Sequence, residues 1–159
     1  MTIKEGDKLP AVTLHVMEDG KPTPKTTDDL FSGKKVVIFA VPGAFTPTCS
    51  QAHLPGYVVH ADDILGKGVD SIVCISVNDA FVMDAWGQGA NAEKLIMAGD
   101  GNGDFTAALG LEMDGSGFGL GKRSQRYAMI VDDGKVTTLA VEAPGQFEVS
   151  KAEAILAAL

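Results

Sequence analysis

Three short apolar runs constrain this chain more than any other feature: KVVIFAV at 35–41, SIVCISV at 71–77 and KLIMAGD at 94–100. The first two are nearly continuous β-branched and aromatic stretches, the pattern of strands buried on both faces, and the third reads as a further strand. Segments of helical character lie between them. Residues 46 to about 65 are expected to be helical with a bend at Pro55-Gly56. DAFVMDAWGQ follows, with Asn78 or Asp79 as its cap, and then the short DFTAALGL helix, with Asn102 or Asp104 near its start.

The flanks complete the plan. AVTLHV at 11–16 alternates loosely enough for a strand, and KPTPKTTDDLFSGKK reads as a turn-rich connection. QRYAMIV and KVTTLAV flank Asp132-Asp133-Gly134, a strong hairpin signal. Between the last crossover helix and this hairpin lies a glycine-dense loop, MDGSGFGLGKRS. Ser150 and Glu153 suggest a capping box opening a final helix, KAEAILAAL. Parallel strands joined by crossover helices and closed by an antiparallel hairpin give an α/β fold of three layers.

The 159 residues suit one domain spanning 1–159, long enough to bury a core without disulfide or metal. A formal net charge of −8 repels phosphate backbones and anionic lipid, so neither nucleic acid nor membrane is an expected partner. No stretch approaches the ~20 apolar residues of a membrane span, and the N-terminus lacks a secretory apolar core. Two cysteines make no disulfide framework, and three histidines offer no zinc-type spacing. The expected setting is a reducing compartment: the cytoplasm, or an organelle matrix after removal of a transit peptide.

Chemistry concentrates in VPGAFTPTCS, residues 41–50, where the first buried run gives way to a helix. Thr46 suits the N-cap and Pro47 the first helical position, where a missing N–H costs nothing. Cys49 then lies beside unpaired N–H groups and the positive end of the helix dipole, which favour thiolate over thiol. The C-terminal edge of a parallel strand is also where α/β proteins keep their sites. By these residues alone, Cys49 is either a nucleophile or a small buried hydrophobe at a helix start.

VPGAFTPTCSQAHLPGY strongly resembles the active-site segment of peroxiredoxins of the type-five, or type-II, branch. Pro42, Thr46 and Cys49 fit that family's spacing of Pro, three residues, Thr, two residues, Cys. CISVNDAFVMDAW, GDGNGDFTAALGL and KRSQRYAMIVDDG are similar to further family segments, so the resemblance spans nearly the whole chain. It implies a thioredoxin-like fold, a central mixed sheet with helices on both faces. It also implies a thiol-dependent peroxidase that forms homodimers through the active-site edge.

Under that resemblance Cys49 is the peroxidatic nucleophile, and hydrogen peroxide and small alkyl hydroperoxides are its substrates. Attack on a peroxide oxygen leaves a sulfenic acid. Thr46 corresponds to the residue holding the peroxide, and Pro42 to the one shielding the sulfur from water. Arg126, entering a strand in QRYAM, is the best match for the family arginine; Arg123 competes, and spacing alone does not choose. His53, one helical turn beyond Cys49, is expected to be a packed, hydrogen-bonded residue outside the catalytic set. Trp86 is expected near the site or the dimer edge.

Many relatives carry a resolving cysteine near the C-terminus, about where this chain has Ser150. Cys74 sits in a buried-strand pattern and reads as core. The expectation is a one-cysteine cycle without a cofactor, resolved by glutathione with glutaredoxin, or by thioredoxin. The alternative is a peroxide-sensing relay or holdase-type binding module. Three other signals fail. DGNGD at 100–104 lacks the later positions of a calcium loop, and GSGFGLG lacks the strand-and-helix context of a dinucleotide site. The absence of Cys-x-x-Cys argues against a dithiol reductase.

Overall fold

The computed structural model describes residues 2–159. Along them the chain forms β1 (Thr13–Glu18), β2 (Lys21–Thr26), α1 (Thr27–Phe31), β3 (Lys35–Ala40), a π-helical turn (Cys49–His53), α2 (Leu54–Val59) and α3 (Ala61–Leu65). It continues through β4 (Ser71–Ser76), α4 (Ala80–Gly89), β5 (Ile96–Gly99), α5 (Asp104–Leu109), β6 (Glu112–Asp114) and a 3-10 turn (Ser116–Phe118). β7 (Lys122–Ser124), β8 (Tyr127–Asp132), β9 (Lys135–Val141) and α6 (Ala152–Ala158) complete it.

The three apolar runs become the centre of a seven-stranded sheet of order β2-β1-β5-β4-β3-β8-β9. β3, β4 and β5 are parallel, while β8 joins β3 antiparallel and β1 joins β5 antiparallel, so the sheet is mixed. Side chains alternate across it. Val37 and Phe39 turn to a core shared with α2, α3, α4 and α6; Val36, Ile38 and Ala40 turn to a second core under α1 and α5. Helices therefore cover both faces, which is why the central strands are apolar without alternation.

The hairpin forms as expected, with Asp133 and Gly134 at φ of 50° and 76°, the left-handed pair that a two-residue turn requires. The Lys21–Lys35 connection is more ordered than a turn-rich segment. Pro22 and Pro24 fall on alternate residues of β2, an edge strand, where two missing N–H groups face away from the only ladder. Thr26 and Asp29 then form a reciprocal capping box that starts α1, with backbone-to-side-chain bonds of 2.9 and 3.1 Å.

Other local expectations shift. The glycine-dense loop carries the short β6–β7 ribbon rather than running as loop throughout. α5 takes no cap from Asn102 or Asp104; Gly103 holds that position, and the buried Asp100 carboxylate accepts from the N–H groups of Phe105 and Thr106. α4 is capped by Asp79, whose carboxylate accepts from Val82 N–H at 2.8 Å. The capping box at Ser150 and Glu153 does not form: Lys151 is the N-cap of α6, and the Ser150 side chain is engaged elsewhere.

Candidate active site

Sequence places Cys49 just past the C-terminal end of β3, and the fold makes that end a junction. Helix begins at Pro47, and Ser50 N–H is the first to reach back, 2.9 Å to Thr46 C=O. The N–H groups of Thr48 and Cys49 thus have no carbonyl a turn behind them. Thr46 caps with its backbone only: its hydroxyl donates to Gly43 C=O at 2.7 Å instead of accepting from the helix.

The turn that carries Cys49 is widened. Leu54 N–H bonds Cys49 C=O, five residues back, throughout a π-helical turn directly ahead of Pro55. Proline has no N–H for an ordinary bond to residue 51 and its ring crowds that carbonyl, so the wider turn accommodates it. The bend expected at Pro55-Gly56 is therefore this bulge plus a break at His60, between α2 and α3.

The loop ahead of the helix is pinned from several sides. Val41 N–H bonds Ile75 C=O, and Ala44 N–H donates to the Asn78 side chain, which the Ser76 hydroxyl also holds. Phe45 has a φ of 66°, unusual for a residue with a side chain, and is 61% exposed. Gly43 leaves room for Arg123: a Cβ there would lie 2.7 Å from Arg123 Nη1 and displace the guanidinium. Arg123 donates through that nitrogen to Pro42 C=O at 3.2 Å, and through Nε to Leu120 C=O.

The choice between the two arginines follows from register. Ala40 pairs with Tyr127 across β3 and β8, so the residue before Tyr127 arrives beside the strand end from which the Cys49 turn departs. Arg126 Nη2 donates to Cys49 Sγ at 3.1 Å, and Arg126 Nη1 lies 2.8 Å from His53 Nδ1. The guanidinium also sits 5.7 Å from the centre of the Phe147 ring. Arg126 thus meets the sulfur, while Arg123 braces the loop.

Cys49 is fully buried. Pro42, Thr48 and Arg126 line one end of a cleft of about 450 Å³, whose other walls include Met113, Glu142 and Pro144. Trp86 is near the site as expected, its indole N–H donating to the Ser50 hydroxyl at 3.0 Å. Cys74 lies in mid-β4 paired with Phe39, and burial, then the neighbouring Cys49, pushes its thiol well up from the usual range.

Sequence reading left a polar network behind Arg126 undetected. His53 Nε2 lies 3.1 Å from Ser150 C=O, which also accepts from the Tyr57 hydroxyl at 2.7 Å. The Glu142 carboxylate accepts from Glu148 N–H, Ser150 N–H and the Ser150 hydroxyl. Desolvation raises the Glu142 pKa, but the bonds from Ser150 and Glu148 outweigh it and hold the carboxyl below its ordinary value. Burial, then the adjacent guanidinium, lowers His53 to about 3, so the imidazole is neutral. A signal was present: Cys49, His53 and Tyr57 recur at four-residue spacing, one stripe along the helix.

Comparisons with known proteins bear on the family and the fold. The Redoxin family model matches residues 4–156. "Peroxiredoxin-2E-2, chloroplastic" of Oryza sativa subsp. japonica is 51% identical over 99% of this chain and 73% of the relative. The crystal structure of reduced Prx3 in complex with H2O2 from Vibrio vulnificus is 61% identical over 99% of both chains, with a TM-score of 0.96. The thioredoxin-like architecture expected from the sequence is thereby established. The Plasmodium falciparum antioxidant protein, a 1-Cys peroxiredoxin, matches at 30% identity over 96% of each chain, with a TM-score of 0.90.

Proposed function

Because this chain belongs to the peroxiredoxins of the redoxin family and is a thiol peroxidase, we propose that Cys49 reduces hydrogen peroxide and small alkyl hydroperoxides through a sulfenic acid. The observation that carries the assignment is the 3.1 Å bond from Arg126 to a buried sulfur at a strand end. A guanidinium there favours the anionic sulfur and remains in place as charge shifts toward the peroxide oxygens.

In the first step the Cys49 thiolate attacks one oxygen of ROOH, and the O–O bond breaks. Sulfur supplies two electrons, RO⁻ takes a proton and leaves as water or alcohol, and Cys49 becomes S–OH. Thr46 contributes an acceptor: its hydroxyl proton is committed to Gly43, so its oxygen has lone pairs for the peroxide O–H. Pro42, which lines the cleft, is assigned the shielding of the sulfur from water.

The second half-reaction uses an external thiol. Attack on S–OH forms a mixed disulfide and releases water, and a second thiol restores Cys49. The chain holds two cysteines, and Cys74 lies buried in β4 with its thiol held protonated by its surroundings. Ser150 has no thiol to offer, and the Plasmodium falciparum 1-Cys peroxiredoxin gives a precedent for this cycle. Glutathione with glutaredoxin, or thioredoxin, is the proposed reductant. A buried Cys49 requires the widened turn to open before so bulky a partner reaches it.

The unit is proposed to be one domain acting as a homodimer, consistent with Phe45, Phe81 and Phe118 exposing 61%, 58% and 88% of their surface. Its compartment under this reading is the cytoplasm or an organelle matrix, as the chloroplastic relative suggests. No helix among the described residues is long and apolar enough to cross a membrane. Peroxide consumption with dithiothreitol tests the proposal. Repeated turnover supports the peroxidase cycle; a single stoichiometric oxidation favours the sensor alternative.

A further inference from the structure

His53 is fully buried, while His15 and His60 are partly exposed. It does not line the cleft, yet both ring nitrogens are engaged. An arginine donates from every nitrogen and accepts at none, so the 2.8 Å contact from Arg126 Nη1 makes His53 Nδ1 the acceptor. The ring proton then resides on Nε2, and the group 3.1 Å from Nε2 is Ser150 C=O, which only accepts. Both neighbours select the same tautomer. An imidazolium would instead set an N–H against the guanidinium.

We propose that His53, as the neutral Nε2–H tautomer, is a positioning residue of the peroxidase reaction: its Nδ1 lone pair orients Arg126 so that Nη2 faces Cys49 Sγ. The inference rests on the reading of Cys49 and Arg126 given above. Two further observations support it. First, the imidazole is itself held firmly, for Tyr57 shares the Ser150 carbonyl, and the Glu142 carboxylate clasps the backbone on either side of Val149. Phe39 and Phe147 each pack with ring centres 5.0 Å from the imidazole.

Second, the guanidinium has alternatives to the sulfur. Glu112 and Glu142 line the same cleft, and their carboxylates compete for an arginine that loses its fixed acceptor. The charged and titratable groups around His53 are Cys49 and Tyr57 on its own helix, Arg126 at the head of β8, and Glu142 beyond β9. Burial, first among its causes, keeps Tyr57 un-ionised, so Arg126 and Glu142 are the charges that matter at neutral pH, along with the sulfur itself.

Two substitutions separate positioning from packing. His53→Asn puts an amide oxygen where Nδ1 was and keeps the acceptor for Arg126. His53→Gln puts an amide nitrogen where Nε2 was, keeping the donor to Ser150 and losing that acceptor. The expected result is a kcat/KM for hydrogen peroxide at least about tenfold lower in His53→Gln than in His53→Asn, the scale of one hydrogen bond to a charged group. Alkylation of Cys49 by iodoacetamide at neutral pH is slower in His53→Gln than in His53→Asn. Equal losses in the two variants, no loss in either, or the reverse order overturn the proposal. Nitrogen NMR of ¹⁵N-histidine-labelled wild type provides a check independent of any variant. It should show Nδ1 bare and Nε2 protonated, and a proton on Nδ1 overturns the proposal outright. Activity surviving in Cys49→Ser would instead discard the reading of the site, leaving the tautomer result as it stands.

Discussion

The two cysteines share a residue type and complete burial, and they differ in what surrounds the sulfur. Cys49 lies past the end of β3, where a chain leaving the sheet must turn and Arg126 reaches its Sγ. Cys74 lies mid-strand in β4 between Val73 and Ile75, with Phe39 and Met97 as its partners on the two neighbouring strands. A sheet interior offers no free donors for an anion, whereas a strand end offers helix N–H groups and room for an incoming side chain. Burial silences one thiol and shelters the other.

The largest test of that contrast is Cys49→Ser, which should lower kcat/KM for peroxide by about a thousandfold or more while leaving the circular dichroism spectrum intact. Next is Arg126→Gln, which removes the donor that distinguishes the two environments; the expected loss is about 10² to 10³ in kcat/KM. Arg126→Lys retains the charge without the planar fork and should fall between that variant and wild type. Activity in Arg126→Gln within a few-fold of wild type would mean that the guanidinium is only structural.

Cys74→Ser probes the other side. Its peroxidase rate should stay within about twofold of wild type, while stability falls by about 1–3 kcal/mol because a hydroxyl enters an apolar strand, measured by urea denaturation. Intact mass after one equivalent of peroxide without thiol should show added oxygen on Cys49. A loss of two hydrogens that disappears in Cys74→Ser would break the comparison, since the core thiol would then be a resolving partner.

The last expected effect, absent at neutral pH, is a pH dependence of stability. His53 titrates near 3 in the folded chain and near 6.5 unfolded, so the unfolded state binds the extra proton between those values. Stability therefore falls as pH drops from about 6.5 toward 3, by at most about 1.4 kcal/mol per unit. Glu142, held below its ordinary 4.5, adds loss of the same sign only below that value. Denaturation midpoints of wild type and His53→Asn compared between pH 4.5 and 6.5 isolate the histidine; parallel curves would show that its protonation does not oppose folding.

What could be read along the chain was local. Unbroken apolar runs announced strands buried on both faces, Asp133-Gly134 announced the hairpin, and the Thr-Pro-Thr-Cys order announced a helix start bearing a thiol. Even so, prolines at 22 and 24 hid an edge strand, because their tolerance there depends on which neighbour the strand lacks. Ser150 looked like a cap three residues before Glu153, but Glu142 outcompeted the helix for its hydroxyl.

Sequence alone thus determined the order of the central strands and their crossover helices and the position of the nucleophile candidate, since both follow from periodicity and from chemistry within one or two turns. Tertiary structure decided that Arg126 rather than Arg123 meets the sulfur, and that His53, Tyr57, Glu142 and Ser150 form one network. Apart from the Glu142–Ser150 bond, eight positions apart, those contacts join residues more than seventy positions apart. Register between distant strands is set by packing the whole sheet, and no short window of sequence contains it.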